Sequence, residues 1–244
     1  MTKGSFESLT ENHRTARGFC LTSAFWMVVA TLFGMAAAIE LIAPDLFGDI
    51  SWVSFGRIRP IHTNLIIFGF VTSGLFSVSF YMLPKLLRTK LYSEKLGMIT
   101  LLMWNIILVS IVITLAMGLT QGREYAEAIW TIDVLFAVAF GLIFFNLIMT
   151  VRQREEPILY VSVWYICAAI ILTTLVYIIG NVMWVPGTGA LKGIPDAIVL
   201  WFYGHNVLGL LLTPLAVGVA YYVIPSACRS PLYSHTLSLV GFWS

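Results

Sequence analysis

Long apolar stretches alternate with short polar segments along the whole chain. A helix that crosses a bilayer core of about 30 Å needs about 20 predominantly apolar residues. Stretches of that kind occur at 19–39, 61–83, 96–119, 129–151, 158–182 and 197–224. The pattern predicts an all-α protein, a polytopic membrane helix bundle with six transmembrane helices.

A further apolar stretch begins near residue 236 and ends at residue 244. It is too short to span a bilayer, so it predicts only the start of a seventh helix. We expect the chain to be truncated inside that helix. The alternative is a terminal stub that lies on the membrane surface.

Composition supports a membrane protein. Of the 244 residues, 59% are apolar and 11% are charged, whereas a soluble domain carries roughly 25% charged residues. Residues 1–18 are polar and lack the apolar core of a signal peptide. We interpret 1–18 as a cytoplasmic N-terminal segment and 19–244 as one transmembrane domain. The net charge of +2 does not favour a nucleic-acid partner.

The positive charges predict the orientation in the membrane. With the N-terminus inside, ten Lys and Arg residues fall in inner segments and four in outer segments. Inner segments of membrane proteins carry the excess of these residues. A cytoplasmic N-terminus follows, and both His62 and His205 then lie in the outer half of the membrane.

His62 is the first candidate for chemistry. An ionisable residue inside a bilayer is costly and by default marks a functional site, and imidazole is a common haem ligand. Arg57 and Arg59 lie within about one helical turn and could pair with haem propionates. The alternative is an interfacial histidine beside arginines that contact lipid headgroups.

His205 is the second candidate. It lies within the sixth apolar stretch, flanked by Gly204 and Gly209, which leave room for a planar group or a close helix. A metal ligand is one interpretation. A partner in a hydrogen bond between helices is the other.

Three further groups of residues have weaker signals. Glu124 and Glu127, in an outer loop, could bind Ca²⁺ through oxygen ligands, or could be ordinary solvated carboxylates. Asp133 lies about one turn inside the fourth apolar stretch and could simply reach the membrane interface. His13 and His235 lie in polar segments and receive no role.

Hydroxyl groups lead from His205 towards the inner surface. A proton wire needs hydroxyls or water at hydrogen-bond spacing. On an ideal α-helix Thr213 lies about 80° around from His205 and Tyr221 about 160°, and Ser238 follows. This loose spiral permits a wire without requiring one, since Thr and interfacial Tyr are frequent in membrane helices.

Several motifs, taken in order, resemble the catalytic subunit of cbb3-type cytochrome c oxidases, a branch of the haem–copper oxidases. The likeness runs from the first span to the end of the sequence. The motifs are Arg-Ile-Arg-Pro-Ile-His-Thr-Asn at 57–64, Tyr-Met-Leu-Pro at 81–84, Gln-Gly-Arg-Glu-Tyr-Ala-Glu at 121–127, Trp-Phe-Tyr-Gly-His-Asn at 201–206, Tyr-Tyr-Val-Ile-Pro at 221–225 and Pro-Leu-Tyr-Ser at 231–234.

The resemblance implies roles for individual residues. His62 would be one axial ligand of the low-spin haem b, and His205 one of three histidine ligands of the copper (copper B) at the oxygen-reducing centre. Glu124 matches a carboxylate linked to Ca²⁺ near the haem propionates. The hydroxyl residues at 213, 221 and 238 would begin a single proton path from the cytoplasm.

The resemblance also implies an activity. Such an oxidase reduces O2 to water with electrons from cytochrome c and translocates protons in the respiratory chain. Its partners are membrane-anchored monohaem and dihaem cytochrome c subunits, and its location is the bacterial inner membrane.

Other parts of the family's site have no match here. The second low-spin haem ligand, the adjacent copper histidine pair, the cross-linked tyrosine and the ligand of the high-spin haem b3 are expected beyond residue 244. We therefore predict that residues 1–244 alone do not reduce oxygen.

Three alternatives were weighed against the oxidase. The nitric oxide reductase catalytic subunit shares the His-Thr-Asn start, but carries a glutamate where Gly209 stands, four residues after the metal histidine. A transporter or channel would predict broken helices and internal repeats, which the sequence does not show. A non-catalytic membrane scaffold derived from an oxidase is the third alternative.

Overall fold

Helices account for all the regular structure in the described part of the chain. The computed structural model describes residues 13–48, 50–183 and 192–244. Its helices are α1 (Arg14–Ile42), α2 (Phe55–Leu86), α3 (Glu94–Ala116), α4 (Trp130–Arg152), α5 (Val161–Val182), α6 (Ile194–Cys228) and α7 (His235–Trp243). The first six are long and apolar enough to cross a membrane, so the predicted fold class is confirmed.

Successive helices run in opposite directions, and the bundle therefore has two ends. Arg57 at the start of α2 donates to the carbonyl oxygen of Ala116 at the end of α3, at 2.8 Å. At the other end, the Thr15 amide in the first turn of α1 donates to the Glu94 carboxylate in the first turn of α3, at 2.9 Å. We call the end that contains Arg57 the histidine end, because His62 follows Arg57 along α2. The other is the opposite end.

Aromatic rings fill the centre of the bundle. Trp104 of α3 is fully buried, and its ring centroid lies 5.2 Å from that of Phe136 and 5.3 Å from that of Phe76. Its indole nitrogen donates to the Ser73 hydroxyl of α2 at 3.0 Å. Because lipid removes the hydrophobic drive for helix association, close packing and such interhelical hydrogen bonds hold the helices together.

Three short π-helical segments interrupt the α-helices at Leu65–Thr72 in α2, Ile178–Val182 in α5 and Val207–Leu212 in α6. Pro214 explains the one in α6, because proline has no N–H and would clash with the carbonyl four residues earlier in a regular helix. The segment also overturns the predicted angle of about 80° between His205 and Thr213, which assumed an ideal α-helix. π-helical turns are frequent at functional sites, and two of these follow His62 and His205 within three residues.

Candidate functional site

The His62 ring is held against α1. Its Nδ1 lies 2.8 Å from the carbonyl oxygen of Ala30. Since a carbonyl oxygen only accepts, Nδ1 carries the proton, and a neutral ring then keeps the lone pair of Nε2 free. Metal-ligating histidines are oriented in this way by a hydrogen bond to the second ring nitrogen.

Gly34 provides the space for that ring. A Cβ at this position would lie 2.5 Å from the His62 Cε1 and 2.6 Å from its Nδ1. The ring therefore occupies the volume that any side chain at position 34 would need. The backbone of α1 thus fixes both the tautomer and the orientation of the ring.

The two predicted arginines lie at the histidine end and have protein partners there. Arg57 donates to Ala116 and packs against Gly118, whose φ of +80° suits a residue without a side chain. Arg59 forms an ion pair with Glu124 at 2.7 Å, and its side chain is 46% exposed. The structure thus brings Arg59 and Glu124 together from segments that are 65 residues apart.

Glu127 is buried and points into the bundle. Its Oε2 accepts from the Asn64 amide of α2 at 2.6 Å, while its Oε1 has no partner among the described residues. Burial raises the pKa of this carboxyl above its ordinary value, although the bond from Asn64 opposes the shift. A solvated loop carboxylate is therefore the wrong interpretation for Glu127. The described residues contain no cluster of three or more His, Cys, Asp or Glu side chains, so Ca²⁺ at Glu124 stays a prediction.

Asp133 points into the bundle and does not contact the surroundings of the protein, which does not favour a side chain that reaches out to the membrane interface. It is fully buried on the face of α4 that meets α5. Its carboxylate accepts from the Tyr177 hydroxyl at 2.8 Å and from the side-chain amide of Gln121. These partners stabilise the carboxylate inside the bundle, and the bond from Tyr177 links α4 to α5.

Arg123 ties the loop between α3 and α4 to two later helices. Its Nε donates to Asn181 of α5 at 3.2 Å, and its Nη1 pairs with Asp196 of α6 at 3.1 Å. The Tyr203 hydroxyl of α6 donates to the carbonyl oxygen of Tyr125 in the same loop, at 2.8 Å. Arg123 was not predicted to have such a role, although a lone cation between two apolar spans is a signal for it.

His205 lies on an exposed part of α6. Its Nε2 is 3.7 Å from the place where a Cβ on Gly209 would lie. Within the described ranges no hydrogen-bond partner meets its ring, so this part of the chain does not form the interhelical hydrogen bond. The π-helical segment that follows His205 contacts the one that follows His62, which places the two histidine-bearing helices side by side.

Of the three predicted proton-path residues, Thr213 lies near the middle of α6, whereas Tyr221 and Ser238 lie towards the opposite end. No hydrogen bond joins the three to one another in the described part of the chain. The Tyr221 ring stacks on Tyr165 of α5, with centroids 5.9 Å apart. The Ser238 hydroxyl donates to the carbonyl oxygen of His235 at 2.7 Å. Tyr221 also lines a cavity of about 380 Å³, so water could complete a path that the side chains leave open.

Comparison with known proteins defines the class of protein. Residues 14–244 match the family model described as cytochrome C and quinol oxidase polypeptide I. The chain therefore belongs to this family, subunit I of the haem–copper oxidases, whose members bind haem and copper.

Three relatives indicate the branch. The chain is 35% identical over 246 residues to the cbb3-type cytochrome c oxidase subunit CcoN1 of Stutzerimonas stutzeri, covering 97% of this chain and 51% of the relative. It is 32% identical to a cytochrome c oxidase subunit 1 homolog of Agrobacterium tumefaciens (92% and 42%) and 33% identical to cytochrome c oxidase subunit 1 of Rhodobacter capsulatus (93% and 44%). The chain spans about half the length of these relatives.

Proposed function

We propose that this chain forms the N-terminal part of the catalytic subunit of a cbb3-type terminal oxidase. The complete enzyme reduces O2 to water with electrons from cytochrome c and couples this to proton translocation. The similarity to the cbb3-type subunit of Stutzerimonas stutzeri supports this proposal. The excess of Lys and Arg in the inner segments supports a cytoplasmic N-terminus in a bacterial inner membrane.

The single observation that carries the proposal is the hydrogen bond from His62 to Ala30. It leaves Nε2 free to hold the iron of the low-spin haem b, and Gly34 leaves the ring the space it needs. The haem supplies one-electron transfer when bound. Arg57 and Arg59 are the cations of the histidine end nearest to His62 in sequence, and they suit the haem propionates.

His205 is proposed as one copper ligand of the oxygen-reducing centre. Its ring has no protein partner in the described ranges and lies on the helix next to α2. The copper needs further histidines, as does the high-spin haem b3. His13 and His235 both lie at the opposite end of the bundle, where α1 and α7 begin. They are therefore too far from the histidine end to suit these sites.

The remaining assignments follow the same family. Glu124, held by Arg59, would contribute an oxygen ligand to a Ca²⁺ near the propionates. Thr213, Tyr221 and Ser238 would carry protons inward from the cytoplasmic side. The partners would be membrane-anchored monohaem and dihaem cytochrome c subunits, which deliver the electrons.

Replacing His62 tests the proposal in the full-length complex. His62→Ala should abolish the low-spin haem b bands in the reduced-minus-oxidised spectrum, because the iron loses an axial ligand. His13→Ala, at the other end of the bundle, is the matched control and should leave the spectrum unchanged. A correctly inserted His62→Ala complex with unaltered low-spin bands would overturn the assignment.

A further inference from the structure

A cavity of about 380 Å³ opens at the opposite end of the bundle, between α5, α6 and the start of α7. Tyr221 and Ser162 line it together with His235, a residue to which the sequence analysis gave no role. Among the described residues that line the cavity, His235 is the only histidine, and no carboxylate, Lys or Arg is present. The other titratable groups in the lining are the tyrosines Tyr160 and Tyr222.

The start of α7 places His235 at the boundary between water and the bundle. The Ser234 hydroxyl caps the helix by accepting from the Leu237 amide at 3.2 Å, which fixes the first turn. One turn later the hydroxyl of Ser238, which is 3% exposed, donates to the His235 carbonyl at 2.7 Å. His235 itself is exposed. It therefore contacts solvent while its backbone is bonded to a proposed proton-path residue.

The chemistry of the cavity needs a group of this kind. Serine and tyrosine hydroxyls relay protons but exchange them slowly with water near neutral pH, because their own pKa values are far from 7. Imidazole is the side chain that takes up and releases protons in this range. We propose that His235 is the proton-collecting residue at the mouth of this path.

In this role His235 accepts a proton from bulk water on one ring nitrogen and gives one up to cavity water next to Tyr221. The ring returns to its neutral state after each transfer, so protons balance without a further reactant. The inference rests on the proposed proton path, and it adds an entry residue on this chain to that path.

The test compares variants of the full-length complex in oxygen uptake at saturating reduced cytochrome c. His235→Ala and the size-matched His235→Gln should slow turnover several-fold with haem and copper contents unchanged. Imidazole added to the medium should restore the rate of His235→Ala. His13→Ala is the matched control, because His13 also lies at the opposite end but contacts Tyr81 outside the cavity, and it should turn over like wild type.

Tyr221→Phe distinguishes failure of the proposed proton path from failure of the proposed role of His235. If Tyr221→Phe is slow and both His235 variants match wild type, the path stands and the role of His235 is overturned. If Tyr221→Phe also matches wild type, the proton path itself is wrong and the inference falls with it. Slow His235 variants that imidazole does not restore, or an equally slow His13→Ala, would also overturn it.

Discussion

At the residue scale, the absence of a side chain at Gly34 matters as much as the presence of the imidazole at His62. The ring lies where a Cβ would be, and the hydrogen bond to Ala30 depends on that close approach. A histidine without this support would keep a free Nε2 but lose the orientation of its ring, on which the strength of a metal ligand depends.

Gly34→Ala should therefore displace the His62 ring and shift the electron paramagnetic resonance signal and midpoint potential of the low-spin haem. Overpacking of this kind also destabilises by about 1–3 kcal/mol. Gly69→Ala is the matched control, because its Cβ would meet Trp26 at 2.8 Å at the same α1–α2 contact without touching His62. Equal changes in the resonance signal and midpoint potential of both variants would contradict the prediction. They would show that the haem responds to the distance between α1 and α2 and not to the position of the His62 ring.

Glu127 gives stability a pH dependence with a definite sign. Burial raises its folded-state pKa above the ordinary 4.5, so the folded protein holds a proton that the unfolded chain releases. Stability from this group consequently falls as the pH rises from that ordinary value through the raised one. Glu127→Gln should flatten the fall in melting temperature as the pH rises above 4.5.

The control for this experiment is Glu124→Gln, which removes a more exposed carboxyl that is paired with Arg59. Because the Glu124 charge contributes to the raised pKa of Glu127, this variant should weaken the pH dependence less than Glu127→Gln does. A Glu127→Gln profile as steep as that of wild type would mean that other groups set the pH dependence.

At the scale of elements, the π-helical segment of α6 sets the angle between the half that carries His205 and the half that carries Tyr221. Pro214→Ala restores an N–H and should let Val207–Leu212 return to α-helix, which rotates His205 relative to Tyr221. We expect the full-length variant to lose copper while keeping haem b, because His205 would no longer face the proposed copper site. Pro225→Ala, near the far end of the same helix, is the control and should retain copper. A Pro214→Ala variant that also retains copper would contradict the prediction.

The apolar pattern predicted the helices well because about 20 residues of continuous apolar sequence have few alternatives in a membrane. Even so, α1 begins at Arg14 and α2 at Phe55, five and six residues before the predicted starts at 19 and 61. Polar residues such as Arg57 and Arg59 continue a helix when carbonyls and carboxylates satisfy them, and hydropathy does not register such partners.

The site was predictable only in part. His62 and His205 stood out because an ionisable group in a lipid environment is conspicuous. The partners of Asp133 and Arg123 were not predictable, because Tyr177 and Asp196 lie 44 and 73 residues later, on helices whose facing sides the sequence does not reveal. The π-helical segments were missed because periodicity assumes one rotation per residue.

At the scale of the whole molecule, the count of ligands limits what residues 1–244 can do alone. A low-spin haem needs two axial ligands, and affinity comes from several ligands held together with oriented partners. The histidine end offers one histidine for each proposed site. The described residues contain no group of three or more His, Cys, Asp or Glu side chains that could hold a metal ion. Expressed alone in a strain without oxidases, this chain should therefore show no cyanide-sensitive oxygen uptake with reduced cytochrome c. Uptake above the empty-vector background would contradict the prediction.

The ties of Arg123 also set an order for biosynthesis. Asn181 and Asp196 follow Arg123 by 58 and 73 residues along the chain. At about 5–20 residues per second, translation of the 73 residues takes roughly 4–15 s. During that interval the guanidinium lacks one or both of these partners, so the loop must stay at the aqueous boundary until α5 and α6 have been made. In a cysteine-free background, a cysteine at the now buried Ala126 should react with an impermeant thiol reagent in nascent chains halted before Ile194. It should become protected once translation passes well beyond Cys228, and equal labelling at both lengths would argue against this order.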